Sequence, residues 1–499
     1  MKPDQFFRLF NGTGLTFDDV LLLPNYSDTL PREVNTRTWL TQHIQINVPL
    51  VAAAMDTVTE SALAIAIARE GGFGFLHKNL SIERQAQEVQ MVKRYQSNIV
   101  TKPFSLKPNQ KVKDALALRE KHKFSTFPIV DNDGKFVGLV TGNDLKLFND
   151  SPNKSLRSIM RPLRELKVVY ATDKLDASNA KLLFKKHRVP KLPILKSHKE
   201  PILQGIIFQK DLDNTKNFPL ASLDTKGRLM VGAAVGVTPD VIQRVGALVD
   251  AKVDVVTIDT AHAHSFGVLD SIKKVRRNFK HLELVGGNVA TAAATKALIT
   301  AGVNAVKVGV GPGSICSTRI VAGIGVPQLT AIYECARVAM KAGIPIIGDG
   351  GIRYSGDITK AIGAGADTIM AGGLFAATDE SPGDVIIEGK IKYKAYRGMG
   401  SVEAMAEGSK DRYFQDAEDD IKKLVAEGVA GKKIIQGTVA DVVYQLVGGL
   451  RAGMGYSGAK DIPSLQAKAQ FTRVTPAGMA ESHPHDLEKM EAAPNYNKK

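Results

Sequence analysis

Cysteine, tryptophan and long apolar runs are the scarce features of this 499-residue chain, and each shortage excludes something. Two cysteines, Cys316 and Cys335, cannot make a disulfide framework or a four-ligand zinc site. No apolar run reaches the length needed to span a bilayer, roughly 20 residues. The opening MKPDQFFRLFNGTGLTF lacks the apolar core and cleavage site of a secretory signal. A reducing, cytoplasmic setting with no membrane partner is the expectation. Acidic residues are also short: 66 Lys and Arg face 51 Asp and Glu, a net charge of +15. The imbalance is regional, since residues 101–213 hold 23 basic against 12 acidic side chains. There is no zinc-finger spacing, no stripe of alternating aromatic and basic residues and no basic tail. Small polyanionic ligands on that segment therefore account for the charge as well as DNA or RNA would.

Outside 101–213 one theme repeats: a short β-branched run ends in small or polar residues, and an amphipathic helical pattern follows. The runs are PLVAAA (49–54), GFGFL (72–76), MVGAAV (230–235), VDVVTI (253–258), LELVGG (282–287), NAVKVG (304–309), IPIIGD (344–349) and DTIMAG (367–372). Eight strand–helix units predict an α/β fold, a (β/α)8 TIM barrel, with a doubly wound open sheet as the alternative. The barrel is preferred because Asp259, Asn288, Cys316, Asp349 and Gly372 all follow strand ends, where barrels build their sites. The turns GDGGI (348–352) and AGG (371–373) follow strands seven and eight, where backbone amides commonly bind phosphate.

The segment 101–213 is an insertion with an internal duplication. FPIVDNDGKFVGLVTGNDL (127–145) returns loosely as LPILKSHKEPILQGIIFQKDL (192–212), with Gly138 matching Gly205 and Asp144 matching Asp211. This tandem resembles a pair of cystathionine-β-synthase-type (CBS) modules, a family that binds adenine or guanine nucleotides. The resemblance implies ribose contacts from Thr141 and Asp144 in the first copy and from Asp211 in the second. Phe208 stands where the second threonine belongs. A second long connection, about 388–437, is rich in glycine and charge and reads as a mobile lid rather than a packed element. The expected division is 1–94 for the first part of the barrel, 95–213 for the tandem modules, and 214–499 for the rest, including lid and tail.

The loop GVGPGSICST (309–318) places Cys316 among glycines and small hydroxyls. A free cysteine is often only a small buried hydrophobe, and the helical setting of Cys335 gives it that role. At Cys316 nucleophilic catalysis is an equal contender, since a thiolate is a strong nucleophile and amide dipoles favour it. Asp349 and Asp259 either cap the helices that follow them or face a ligand; a carboxylate can accept both hydroxyls of a ribose. Arg412–Tyr413 in the lid reads as a solvated pair, or as a guanidinium that a closing lid delivers to a covalent site.

Taken together, GVGPGSICSTR, GDGGIRYSGD, YRGMGS, DRYFQ, LVGGLRAGMGY and the opening LTFDDVLLLP resemble the inosine monophosphate (IMP) dehydrogenase family. They occur in that family's order over nearly the whole chain, with the tandem CBS insertion where that family carries it. The resemblance implies oxidation of IMP to xanthosine monophosphate by NAD, with Cys316 attacking C2 of the purine to give a thioimidate. A closing lid then brings Arg412, supported by Tyr413, to activate water positioned by Thr318. It implies that IMP is held by Ser314, Asp349, Gly351, Gly372, Gly373, Tyr396, Met399, Gly400 and Glu427. Of these, Ser314, Tyr396 and backbone amides would take the phosphate, and Asp349 the ribose. Gly373 departs from the serine usual in the family. The cofactor side would comprise Asp259, Asn288 and Gly309. A potassium ion would sit on carbonyls of Gly311, Gly313 and Cys316, completed by those of Glu481, Ser482 and His483 from a neighbouring subunit. A homotetramer is implied, pairing into octamers when purine nucleotides such as ATP or GTP fill the CBS modules. The nearest rival is GMP reductase, which shares the barrel and cysteine loop and typically lacks the Arg–Tyr pair. A non-catalytic nucleotide sensor or nucleic-acid binder is the remaining alternative.

Overall fold

The structure is a computed structural model that describes residues 13–95, 100–101, 103–122, 126–171, 177–209, 217–488, 490–491 and 493–496. All eight sequence runs form strands: β1 (Leu50–Ala52), β2 (Phe73–Leu76), β3 (Gly232–Val235), β4 (Val255–Asp259), β5 (Glu283–Val289), β6 (Ala305–Val308), β7 (Ile346–Asp349) and β8 (Thr368–Ala371). Each pairs in parallel with the next, and β8 returns to β1, so the sheet closes. Closure removes the open-sheet alternative.

The interior is filled by one or two side chains from each strand. Val51, Phe73, Phe75, Ala234, Val255, Val285, Ala305, Ile347 and Met370 form a single buried cluster. Phe73 and Phe75, two apart and so on one face of β2, meet edge to face at 5.1 Å. Space for them comes from Gly232 on β3, where a β-carbon would lie 2.4 Å from the Phe75 ring.

The outer helices are α1 (Ser61–Arg69), α2 (Ile82–Tyr95), α3 (Val241–Asp250), α4 (Phe266–Asn278), α5 (Ala292–Ala301), α6 (Gln328–Ala339), α7 (Ser355–Gly363) and α8 (Val439–Tyr456). Their ends follow local chemistry. Thr291 caps α5 by accepting from the Ala294 amide, and left-handed Gly302 stops it. At α8 Thr438 and Asp441 form a reciprocal capping box.

The chain divides into two compact units, Met1–Tyr95 with Leu220–Lys499, and Gln96–Pro219. In the second unit both copies of the duplication are antiparallel hairpins, Thr126–Val130 with Phe136–Thr141 and Lys191–Leu195 with Leu203–Phe208. Gly138 lies opposite Ile129 and Gly205 opposite Ile194, with a bulge at the next residue in each case. Phe136, Leu139, Leu195 and Ile206 pack the two hairpins together. Thr141 and Asp144 do meet, as the capping box of helix Gly142–Leu147, with Thr141 Oγ1 donating to Asp144 Oδ2 at 2.6 Å. Asp211 lies outside the described residues.

The connection read as a lid is more structured than its composition suggests. Val385–Glu388, Ile391–Arg397 and Ala430–Ile434 form a three-stranded antiparallel sheet. Short irregular turns fill the span between them and lie docked on the barrel mouth. Charge and glycine in a sequence window do not reveal that its two ends will pair.

Candidate functional site

At the C-terminal ends of β4 to β7 a buried ion network lies under the barrel mouth. Lys307, on β6 and only 2 % exposed, pairs with Asp259 Oδ1 at 2.8 Å and with Asp349 Oδ2 at 2.7 Å, and donates to Asn288 Oδ1. Asn288 Nδ2 donates to Asp349 Oδ2 at 2.9 Å and to the Gly309 carbonyl at 2.7 Å. Asp349, the expected ribose ligand, thus has one oxygen fully engaged by the protein. Asn288, expected on the cofactor side, bridges both sides. Gly309 takes φ +152°, and a β-carbon there would lie 2.1 Å from the Asp349 carbonyl oxygen, so this turn requires glycine.

Sequence reading missed Lys307, although a lysine inside the β-branched run NAVKVG was a visible signal. One cation between buried Asp259 and half-buried Asp349 keeps the two carboxylates from repelling each other. Lys307→Met is expected to cost about 3–5 kcal/mol of stability by stranding buried charge, measured by chemical denaturation. An unchanged midpoint would show the carboxylates to be balanced elsewhere.

Cys316 is partly exposed, and its thiol donates to Thr318 Oγ1 at 3.2 Å. The loop is pinned from both sides. Its own turn is closed by the Cys316 amide on the Gly313 carbonyl at 3.1 Å. From the segment just before strand Ala430–Ile434, the Glu427 carbonyl accepts from Ser317 N at 2.9 Å and Val429 N donates to Ile315 O at 3.0 Å. Cys335 is different: burial in α6 pushes its thiol up to about 12, an inert core position.

The docked lid carries Arg412 into the same cavity as Cys316, Thr318, Met399, Gly400, Tyr413 and Glu427. There Arg412 Nη1 pairs with Asp259 Oδ2, and the Arg412 carbonyl accepts from the Ala261 amide at 3.0 Å. Burial opposes both charges, but the pairing wins. With Arg412 and Lys307 beside it, Asp259 is held well below the usual carboxylate range, and Asp259 holds Arg412 above even its own high value. Burial raises the Tyr413 phenol while Arg412 opposes the rise. The lid is further fastened by an ion pair of Lys78 with Asp411, and by Arg397 with Asp56 at 2.8 Å. Burial drives the Lys78 ammonium down despite Asp411.

Beside this cavity, of about 140 Å³, lies a larger one of about 950 Å³. It is bounded by Gly313, Ser314, Gly351, Gly372, Gly373 and Tyr396, and also by Lys433. Burial pushes the Tyr396 phenol up to about 12, against a hydrogen bond with Ser314. A protonated phenol here is a donor. Ser314, Gly351, Gly372, Gly373 and Tyr396 were expected around IMP, with Ser314, Tyr396 and backbone amides on its phosphate, and they line one cavity; Lys433 was not foreseen.

The tail is placed less simply. Glu481 ends helix Pro476–Glu481, and Ser482 Oγ donates back to Gly478 O at 2.8 Å. His483 Nδ1 bonds the Tyr496 hydroxyl at 2.8 Å, while its carbonyl accepts from His485. Of the three, His483 is tied to the chain's own tail, through Tyr496.

Comparison with known proteins comes from three directions. Residues 14–485 match the family model "IMP dehydrogenase / GMP reductase domain". The inosine-5'-monophosphate dehydrogenase of Bacillus subtilis is 51% identical over 489 residues, covering 98% of each chain. That of Aquifex aeolicus is 51% identical over 484 residues, covering 97% of each. Among solved structures, a GMP reductase from Trypanosoma brucei in complex with guanosine 5'-monophosphate superposes with a TM-score of 0.87. It is 41% identical over 95% of this chain and 98% of that one.

Proposed function

Since this chain belongs to the IMP dehydrogenase / GMP reductase family and is an oxidoreductase of the IMP dehydrogenase kind, we propose that it oxidises IMP to xanthosine monophosphate with NAD⁺ through a covalent adduct on Cys316. The observation that carries this reading is the placement of Arg412 and Tyr413 in one cavity with Cys316 and Thr318. A reaction that ends in hydrolysis needs a group that arrives after the first step, and a lid supplies one.

The phosphate of IMP is held by Ser314, Tyr396 and the amides around Gly351, Gly372 and Gly373. Asp349 offers the ribose its remaining oxygen, and the purine edge meets Met399, Gly400 and Glu427. The Cys316 thiolate adds to C2. A dinucleotide bound beside C2 would supply the hydride acceptor, and loss of hydride from that carbon would leave a thioimidate on Cys316. Asp259, with Asn288 and Gly309, would take the nicotinamide ribose. In the docked state Arg412 already has Asp259, and about 140 Å³ remains around Cys316. The residues suit a dinucleotide with the lid withdrawn and suit water with it docked.

For hydrolysis, Thr318 orients the water, its hydroxyl 3.2 Å from Sγ. Arg412 can serve as the base only as a neutral guanidine, so it must leave Asp259, whose pairing holds it charged, and give up a proton to solvent before it takes one from the water. Lys307 remains on Asp259 at 2.8 Å and balances it as Arg412 turns away. Water then adds to C2, the C2 carbonyl forms and the thiolate departs.

Neutral carbonyls of Gly311, Gly313 and Cys316 suit a monovalent cation such as potassium, and Gly313 keeps a lone pair beyond its bond to the Cys316 amide. Such an ion would order the cysteine loop, with Glu481, Ser482 and His483 of a neighbouring copy in a homotetramer completing its shell. The tandem insertion takes purine nucleotides at Thr141 and Asp144, and the enzyme works in the cytoplasm.

A second reading, GMP reductase, is favoured by the extent of superposition on the Trypanosoma brucei enzyme. The discriminating experiment follows nicotinamide absorbance over many turnovers. NADH formation from IMP and NAD⁺ supports the dehydrogenase. Ammonia release from GMP with NADPH, and no NADH from IMP, overturns it.

A further inference from the structure

Three polar groups converge on the space above Gly373. A β-carbon built there would lie 2.9 Å from Lys433 Nζ, 3.5 Å from Ser314 Oγ and 3.6 Å from the Tyr396 hydroxyl. Lys433 reaches this point from strand Ala430–Ile434, donates to the Gly373 carbonyl at 2.8 Å and holds its ammonium 5.8 Å from the Tyr396 ring centre. We infer that Lys433 is a direct ligand of the substrate's phosphate, and that residue 373 is glycine because the ammonium needs the room. The inference rests on the proposed seating of the monophosphate at Ser314 and Tyr396.

Strand register explains why this lysine and not its neighbour does so. Lys433 lies opposite Lys394 in the antiparallel ladder, so both side chains share a face, and Tyr396, two residues beyond Lys394, shares it too. Lys394 is committed to the Ser381 carbonyl at 2.7 Å. Lys432 projects from the other face to pair with Glu388. Of the adjacent pair, Lys433 alone faces the cradle.

The chemistry is suited to a dianion. Ser314, a phenol kept protonated by burial and backbone amides are neutral donors. Arg319 and Arg353 also line this cavity, but Arg319 donates to the Val310 and Val326 carbonyls and Arg353 pairs with Asp18, so Lys433 is the cation that stands against Ser314 and Tyr396. An ammonium adds a point charge and donors that turn readily from a carbonyl to a stronger acceptor. Asp349, the carboxylate that bears on Tyr396, is paired with Lys307 and does not compete for this cation.

The test uses the full-length Cys316→Ala chain, which cannot turn over, and titrates IMP and inosine by calorimetry. Lys433→Ala is expected to raise the Kd for IMP about tenfold or more, as loss of a charge-assisted hydrogen bond does. Inosine, which has no phosphate, should keep its affinity. Lys433→Arg should recover most of the loss. Gly373→Ser should weaken IMP binding when Lys433 is present and do less harm beside Lys433→Ala, because its β-carbon crowds the ammonium. An unchanged Kd for IMP in Lys433→Ala overturns the inference, as does equal loss for IMP and inosine, which would mark a merely structural lysine. If the parent chain binds IMP no tighter than inosine, the seating of the phosphate fails first and takes the inference with it.

Discussion

Replacing Cys316 with alanine is expected to abolish NADH formation from IMP while IMP still binds. Removing a covalent nucleophile costs on the order of 10⁴–10⁶ in rate when no other group replaces it. None stands ready here. The one hydroxyl bonded to Sγ is that of Thr318, which lies buried, and a threonine is a far weaker nucleophile than a thiolate. Retained binding is expected because Ser314, Gly372 and Tyr396 lie in the neighbouring cavity and do not depend on the thiol. Steady-state absorbance and calorimetry measure the two halves separately. Turnover within about a hundredfold of the parent would be too fast for a chain without its nucleophile and would remove the covalent step.

Arg412→Ala should separate the two halves of the reaction in time. On the proposed cycle the first turnover runs with the lid withdrawn, so a burst of NADH near one equivalent per site is expected at a normal rate. Hydrolysis should then fall by about 10²–10⁴, the usual contribution of a positioned acid or base. The adduct should accumulate and be visible as a mass increase on the peptide carrying Cys316. Stopped-flow absorbance resolves burst from steady state. Equal slowing of both phases would assign Arg412 to hydride transfer, and an undiminished steady state would leave the lid without a chemical role.

Much of this architecture could be read from residue order alone. Eight β-branched runs gave eight strands because buried parallel strands need apolar side chains on both faces, and helical spacing between them is equally plain. The chemistry-bearing residues at strand ends were legible for the same reason: a barrel fixes which end faces the site. Contacts across distant segments were not. Nothing in NAVKVG says that its lysine will lie between Asp259 and Asp349, because that depends on how β4, β6 and β7 stand around the barrel. GKKIIQ (431–436) falls in the connection read as rich in glycine and charge, and only pairing with Ile391–Arg397 shows which lysine turns inward. The lid's composition suggested a loose loop, whereas its docking depends on the matched ion pair of Lys78 with Asp411, 333 positions apart.

The bonds that tie Glu427 and Val429 to the cysteine loop have a further consequence. With that end pinned and Gly398 N bonded to Val429 O at 3.0 Å, the span between Gly400 and Glu427 is a closed loop anchored at one post. Arg412 is then never free in solution. It competes for Asp259 at the effective concentration of a tethered group, of millimolar order for a short flexible link. A dinucleotide must outbid that local supply, so its apparent Kd is the intrinsic Kd divided by the fraction of time the loop stands open. Lengthening the span with inert glycine and serine should dilute the tethered guanidinium, tighten dinucleotide binding and slow hydrolysis together. Loop length would then set the balance between the two half-reactions, with no change to any residue that touches substrate.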